Sequence, residues 1–215
     1  MEILKELFLR ADTLYKSEKL QEAAKIYHDI ICLYPECHQA IGQLGGILSI
    51  SGQHGLAIPI LEYAVSKNPD NPDVWNNLGV AYRQEAHNKK AAQCYEKSIK
   101  LDSKNAMTWA NYAGCYVNSG DPDKCIELSK KAYELDPEHP ESGHHMAFGY
   151  LEKGDYANGW DWYESRRKIK KWSPRGFRCQ EWDGKSKVDV LAIHGEQGVG
   201  DELLFGTVFD EVRPY

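Results

Sequence analysis

The feature that most constrains this chain is a step of 34 residues. Ala23, Ala57, Ala91, Cys125 and Gly159 are each separated by that step, and all five are small. Pro35, Pro69, Ser103 and Pro137 keep the same spacing, as do Gly52, Ala86, Gly120 and Gly154. The pairs Leu44-Gly45, Leu78-Gly79, Tyr112-Ala113 and Met146-Ala147 fall in register, followed at a fixed distance by Leu48, Tyr82, Tyr116 and Tyr150. A period of this length marks a unit that cannot bury its apolar stripe alone, so neighbouring units must stack into one continuous core. The unit that fits is a pair of helices. Small residues at 23, 57, 91 and 125 let the two helices approach, while Tyr82 and Tyr95 fill the volume between successive pairs. Glycines 52, 120 and 154 are expected to end the first helix of a pair, because glycine accepts the left-handed conformation at little cost. Prolines 35, 69 and 137 punctuate the second.

Two stretches turn the period into a signature. Trp75-x2-Leu78-Gly79-x2-Tyr82 is followed by Ala91 and Tyr95, and Trp109-x2-Tyr112-Ala113-x2-Tyr116 repeats the pattern. In this the chain resembles the tetratricopeptide family over about Leu4 to Ser173, as five units without insertion: 4–37, 38–71, 72–105, 106–139 and 140–173. The resemblance implies an all-α, right-handed solenoid of five helix pairs. Its concave face would be formed by the first helices and would bind a protein or peptide.

In that family the residue before the Leu-Gly pair faces the concave side, which here gives Gln43, Asn77, Asn111 and His145. The amides at one-unit spacing resemble the asparagine ladder of the O-linked N-acetylglucosamine transferases, where such groups grip the backbone of an extended peptide. An amide offers a donor and an acceptor, and so matches a peptide unit whatever its side chains. The plainer reading is solvated first-helix surface that tolerates asparagine. Asn76, Arg83 and Asn118 are the neighbours expected to add contacts.

Composition narrows the function classes. A net charge of -6 argues against a general nucleic-acid binder. The start, MEILKELFLRADTLYK, mixes acids with its apolar residues and matches neither a secretory signal nor a membrane span, so a cytoplasmic protein is the expectation. The cysteines (Cys32, Cys37, Cys94, Cys115, Cys125, Cys179) form no CxxC pair and no metal-like grouping, which points to reduced thiols and no metal. No cofactor is expected.

Beyond the units the composition shifts. From Tyr156 to Trp182, four tryptophans and seven Lys or Arg residues crowd together. Either they serve a phosphate or a nucleic-acid strand, or their stems cover aromatic packing on a solvated helix face. Pro174 and Gly176 break the helix, and a linker over 174–187 leads to an apolar strand, VDVLAIH, and the loop GEQGVGDELLF. Gly195, Gly198 and Gly200 clear space for a ligand beside Glu196 and Gln197, and the helix that follows points free N–H groups at the same spot. The loop is neither a P-loop nor a GxGxxG turn. The run Gly154 to Phe205 is similar to the junction in bacterial tetratricopeptide proteins fused to a two-Rossmann-domain glycosyltransferase, and to the related heptosyltransferases. That resemblance implies a phosphate or sugar loop at 195–200 and makes Asp201 a candidate base for an acceptor hydroxyl in a full-length enzyme. The plain alternative for Asp201 is a helix N-cap. Residues 188–215 supply one strand and one helix, a partial Rossmann-like unit too small for a core of its own.

Two functions follow. One is a protein-interaction scaffold that takes an extended peptide or partner subunit in the groove, with self-association through the C-terminal strand as a further possibility. The other is the acceptor-recognition part of a nucleotide-sugar glycosyltransferase, inactive without its remaining domains.

Overall fold

In the computed structural model, which describes residues 2–164, the period becomes ten helices arranged as five pairs. They are α1 (Glu2–Lys16) with α2 (Leu20–Leu33), α3 (His38–Ile50) with α4 (His54–Lys67), α5 (Pro72–Gln84) with α6 (Asn88–Leu101), α7 (Ala106–Gly114) with α8 (Pro122–Leu135), and α9 (Pro140–Glu152) with α10 (Tyr156–Tyr163). The described residues contain no strand. The linker 174–187, the strand-loop-helix 188–215 and the loop residues Gly195, Glu196, Gln197, Gly198, Gly200 and Asp201 lie outside the described residues.

Local chemistry sets the helix starts. Asn71 caps α5 by accepting from the Asp73 and Val74 amides at 3.0 and 3.4 Å, and Asn105, Asp121 and Asp155 cap α7, α8 and α10 in the same manner. Each cap satisfies amides that a helix cannot pair internally. The turns inside the pairs share one device: residues 18, 52, 86, 120 and 154, again 34 apart, all have positive φ, from 60° to 82°. Three are glycine, but Glu18 and Ala86 adopt the same left-handed conformation. In four pairs the closing amide then reaches five residues back, as with His87 to the Tyr82 carbonyl at 2.8 Å and Asp155 to Tyr150 at 2.9 Å.

The fourth pair departs from the rule. Gly120 keeps its left-handed turn, yet α7 has already stopped at Gly114. There the backbone tightens to three-residue spacing, with Cys115 donating to the Tyr112 carbonyl and Tyr116 to that of Ala113. Asn118 (φ 55°) is also left-handed, which a continuing helix does not allow. The Gly120 amide is taken instead by the Glu152 carboxylate of the next pair at 2.8 Å.

Packing follows the small positions. Ala23, Ala57, Ala91 and Cys125 are completely buried. A Cβ built on Gly79 would lie 2.5 Å from Cε1 of Tyr95, and one on Gly45 2.7 Å from Leu61, so the Leu-Gly pair opens a socket for the second helix. Where the fourth unit has Ala113 in place of that glycine, the socket position holds Ser129 in place of Tyr95. Tyrosine hydroxyls end on carboxylates of the adjacent helix, within the first pair for Tyr27 to Asp12 and between pairs for Tyr82 to Glu62 and Tyr112 to Glu96 at 2.6 Å. The helices α3, α5, α7 and α9 each pack against the next of that series, whereas α4, α6, α8 and α10 make no comparable contact with one another. The first helices therefore line the inner curve of the stack.

Candidate functional site

The inner curve carries the residues singled out by register. Gln43 on α3 and Asn77 on α5 are part-exposed, and neither side-chain amide has a hydrogen bond among the described residues. Asn77 lies flat against α3 because Gly46 leaves it room: a Cβ there would sit 2.6 Å from Nδ2 of Asn77. The same arrangement recurs two units on. A Cβ on Gly114 would lie 3.3 Å from Cε1 of His145, which occupies the groove position on α9. Between these two, Val80 stands where the others have glycine, and Asn111 is held differently. Its Nδ2 donates to Oδ1 of Asn76 at 3.1 Å, a bond between α5 and α7.

That bond assigns Asn76 a part different from the one its sequence position suggests. Asn76 is buried, only 3% exposed, and its oxygen is occupied by Asn111. It braces the groove while Asn111 keeps its own amide oxygen open. Asn118 is exposed, in the turn after α7.

Arg83 and His145 meet over Gly114. The Gly114 Cβ position is 3.3 Å from Nη1 of Arg83 as well as from the His145 ring, so a side chain there would press both groups back by a few tenths of an ångström. Burial pushes the His145 imidazole down to about 4, with the Arg83 charge and the rings of His144 and His139 acting in the same direction and the Ala110 carbonyl opposing them. The ring is therefore neutral at pH 7. Its Nδ1 and the Arg83 Nε are both shut off from solvent with no hydrogen-bond partner. Among the described residues no carboxylate pairs with Arg83. Cys115 lies below, its thiol pushed up to about 12 by burial with Arg83 pulling the other way. Sequence reasoning missed Gly114 and Cys115. Glycine at 46 and again at 114, two units apart, was the available signal.

Tyr82, expected to fill the volume between pairs, and Trp75, which opens the same signature, take different places. Tyr82 is 6% exposed within the central cluster. Trp75 is only partly buried at its edge, where its indole donates to the Pro69 carbonyl at 2.7 Å and Lys97 lies over the ring at 4.2 Å. The Trp109 indole makes the equivalent bond to Ser103 at 2.9 Å. Cys32, Cys37, Cys94, Cys115 and Cys125 are free thiols, and no group of side chains suited to a metal ion occurs among the described residues. No described helix is long and apolar enough to cross a membrane.

A stack of helix pairs with an amide-bearing inner face defines a helical repeat solenoid. Residues 72–105 and 94–127 match models of the tetratricopeptide repeat. Human tetratricopeptide repeat protein 7B is 26% identical over 97 residues, which is 45% of this chain and 12% of that protein, and human tetratricopeptide repeat protein 7A is 25% identical over the same length. The chain thus spans about an eighth of the length of these curated relatives. Among solved structures, Pseudomonas aeruginosa pilF superposes with a TM-score of 0.67 at 15% identity, covering 78% of this chain and 76% of that one. MamA superposes at 0.62 with 19% identity, covering 75% and 95%. YrrB, described as a TPR protein with an unusual peptide-binding site, superposes at 0.58 with 18% identity, covering 74% and 82%. At these identities the likeness is one of fold.

Proposed function

We propose that this chain is a protein-interaction scaffold that holds an extended polypeptide along the face formed by α3, α5, α7 and α9. The observation that carries the reading is the state of the amides: Gln43 and Asn77 are uncommitted, and Asn111 is fixed by Asn76 with its acceptor oxygen left open. Amides held in place and unpaired are suited to backbone N–H and C=O groups, which always need partners. The peptide-binding site named for YrrB supports the same use of a shared fold. The test is selection of peptides from a random library on the intact chain, followed by calorimetry with Asn77→Ala. Binding weakened by about fivefold or more, as loss of one hydrogen bond of roughly 1 kcal/mol implies, supports the groove. Unchanged affinity refutes it.

The glycosyltransferase reading rests on residues 188–215 and on Asp201, outside the described residues, and on no feature of the ten helices. Nucleotide release from a panel of nucleotide sugars, abolished by Asp201→Asn, is the result that would favour it.

A further inference from the structure

We propose that Arg83 receives an acidic side chain of the bound polypeptide, at a ledge made by Gly114 between α5, α7 and α9. The inference rests on the groove reading above and adds the identity of one ligand side chain to it. A guanidinium withdrawn from water without a counter-charge lowers stability, and such groups are ordinarily paired. Here Arg83 is partly buried, its Nε has no partner, and none of the described carboxylates pairs with it. Its planar fork fits a carboxylate through two parallel hydrogen bonds.

The surroundings suit that use. Gly114 removes the side chain that would otherwise press on both Arg83 and His145. From the same residue the backbone of α7 tightens to three-residue turns. His145 is neutral at pH 7, so the ledge presents a guanidinium beside an uncharged ring. The occupant is an internal side chain and not a chain terminus, because groove positions lie on both sides of Arg83 in the stack: the Gln43 amide before it, the Asn111 amide and the His145 ring after it. A polypeptide held by both sets runs on past the arginine in each direction. The net charge of -6 sharpens the inference, since the overall field does not attract acidic peptides and a preference for acid at one position must come from a local cation.

The test uses the intact chain, a random peptide display library, and the variants Arg83→Gln, Arg83→Lys and Asn77→Ala. Peptides selected by the parent are expected to carry Asp or Glu at one fixed internal position. A synthetic peptide from that set should lose roughly 10- to 100-fold in affinity when its acid becomes the matching amide, the range for a charged hydrogen bond. Arg83→Gln should abolish that discrimination, and Arg83→Lys should restore part of it. Circular dichroism melts confirm that the variants fold, and if Arg83→Gln does not fold, the acid-to-amide comparison on the parent still decides. Peptides that need Asn77 but show no acid preference overturn the arginine inference and leave the groove standing. Acid preference that survives Arg83→Gln, or that disappears when the peptide C-terminus is amidated, also overturns it. Failure to select any peptide refutes the groove reading and this inference with it.

Discussion

Gly79→Ala adds one methyl group at the tightest point between two helices of a pair. The new Cβ would lie 2.5 Å from Cε1 of Tyr95 and 2.8 Å from its Cδ1 and Cζ, closer than carbon atoms approach one another. The ring has no room to retreat, because Tyr95 is fully buried and its centroid is 6.2 Å from that of Tyr112. Overpacking of this kind costs about 3 kcal/mol at the upper end of its usual range. Alanine recovers about 1 kcal/mol through helix propensity. The net expectation is a loss of about 2 kcal/mol and a fall in Tm of roughly 4–8 °C. Gly55→Ala in α4 is the control, since nothing lies within 4 Å of a Cβ built there. That variant keeps the propensity gain without the clash and should be neutral or more stable. Urea unfolding followed by circular dichroism compares the two directly. If both glycine variants are equally stable, the socket for Tyr95 is not a tight one and the packing argument fails.

Two further outcomes follow from polar groups. Asn111→Ala removes the donor to the buried Asn76 oxygen and should cost about 1–3 kcal/mol, whereas Asn77→Ala, which breaks no internal hydrogen bond, should stay within about 0.5 kcal/mol of the parent by the same urea measurement. Equal losses would show that the Asn76–Asn111 bond does not brace the groove. Burial raises the thiols of Cys94 and Cys125 to about 11 and of Cys115 to about 12, above a usual 9.0, and raises the hydroxyls of Tyr27, Tyr82, Tyr95 and Tyr112 above 10.0. Groups with raised folded pKa values stabilise fully below their unfolded values, so stability should hold up to about pH 9 and fall as pH rises from 9 through 12. Tm measured across that range checks the sign, and a flat profile would refute it.

The sequence was most readable where one residue type answers one geometric need at every turn of the period. Ala57, Ala91 and Gly79 are small because another side chain occupies the space a larger residue would take, and that need returns every 34 residues. The left-handed turn was readable at Gly52, Gly120 and Gly154 but silent at Glu18 and Ala86, whose side chains give no hint of positive φ. The early end of α7 was hidden for the opposite reason. Cys115 and Tyr116 continue the expected pattern, and only the neighbours of Gly114 in other helices reveal what the break accommodates. Register placed Asn76 and Asn111 correctly on the first helices. Their mutual bond joins residues 35 apart and depends on which rotamers face each other, a relation that no local signal carries.

The short α7 also bears on how the stack yields when a partner does not match its curvature. This helix has 9 residues where α3, α5 and α9 have 13, and its packing against α6 is sparser than that between other consecutive helices. Just beyond it, two ties reach back from the fifth unit to the fourth, Glu152 to the Gly120 amide and Lys153 to Asp123 at 2.6 Å. The last two units are thus tied to each other by these two contacts as well as by the packing of α8 on α9. Across the junction of α6 and α7 the third and fourth units are held by a few specific contacts, the Tyr112–Glu96 and Asn111–Asn76 hydrogen bonds and the packing of Tyr112 on Tyr95, so a wider or narrower partner would strain those contacts first. Arg83 and His145 lie on either side of that junction and meet over Gly114.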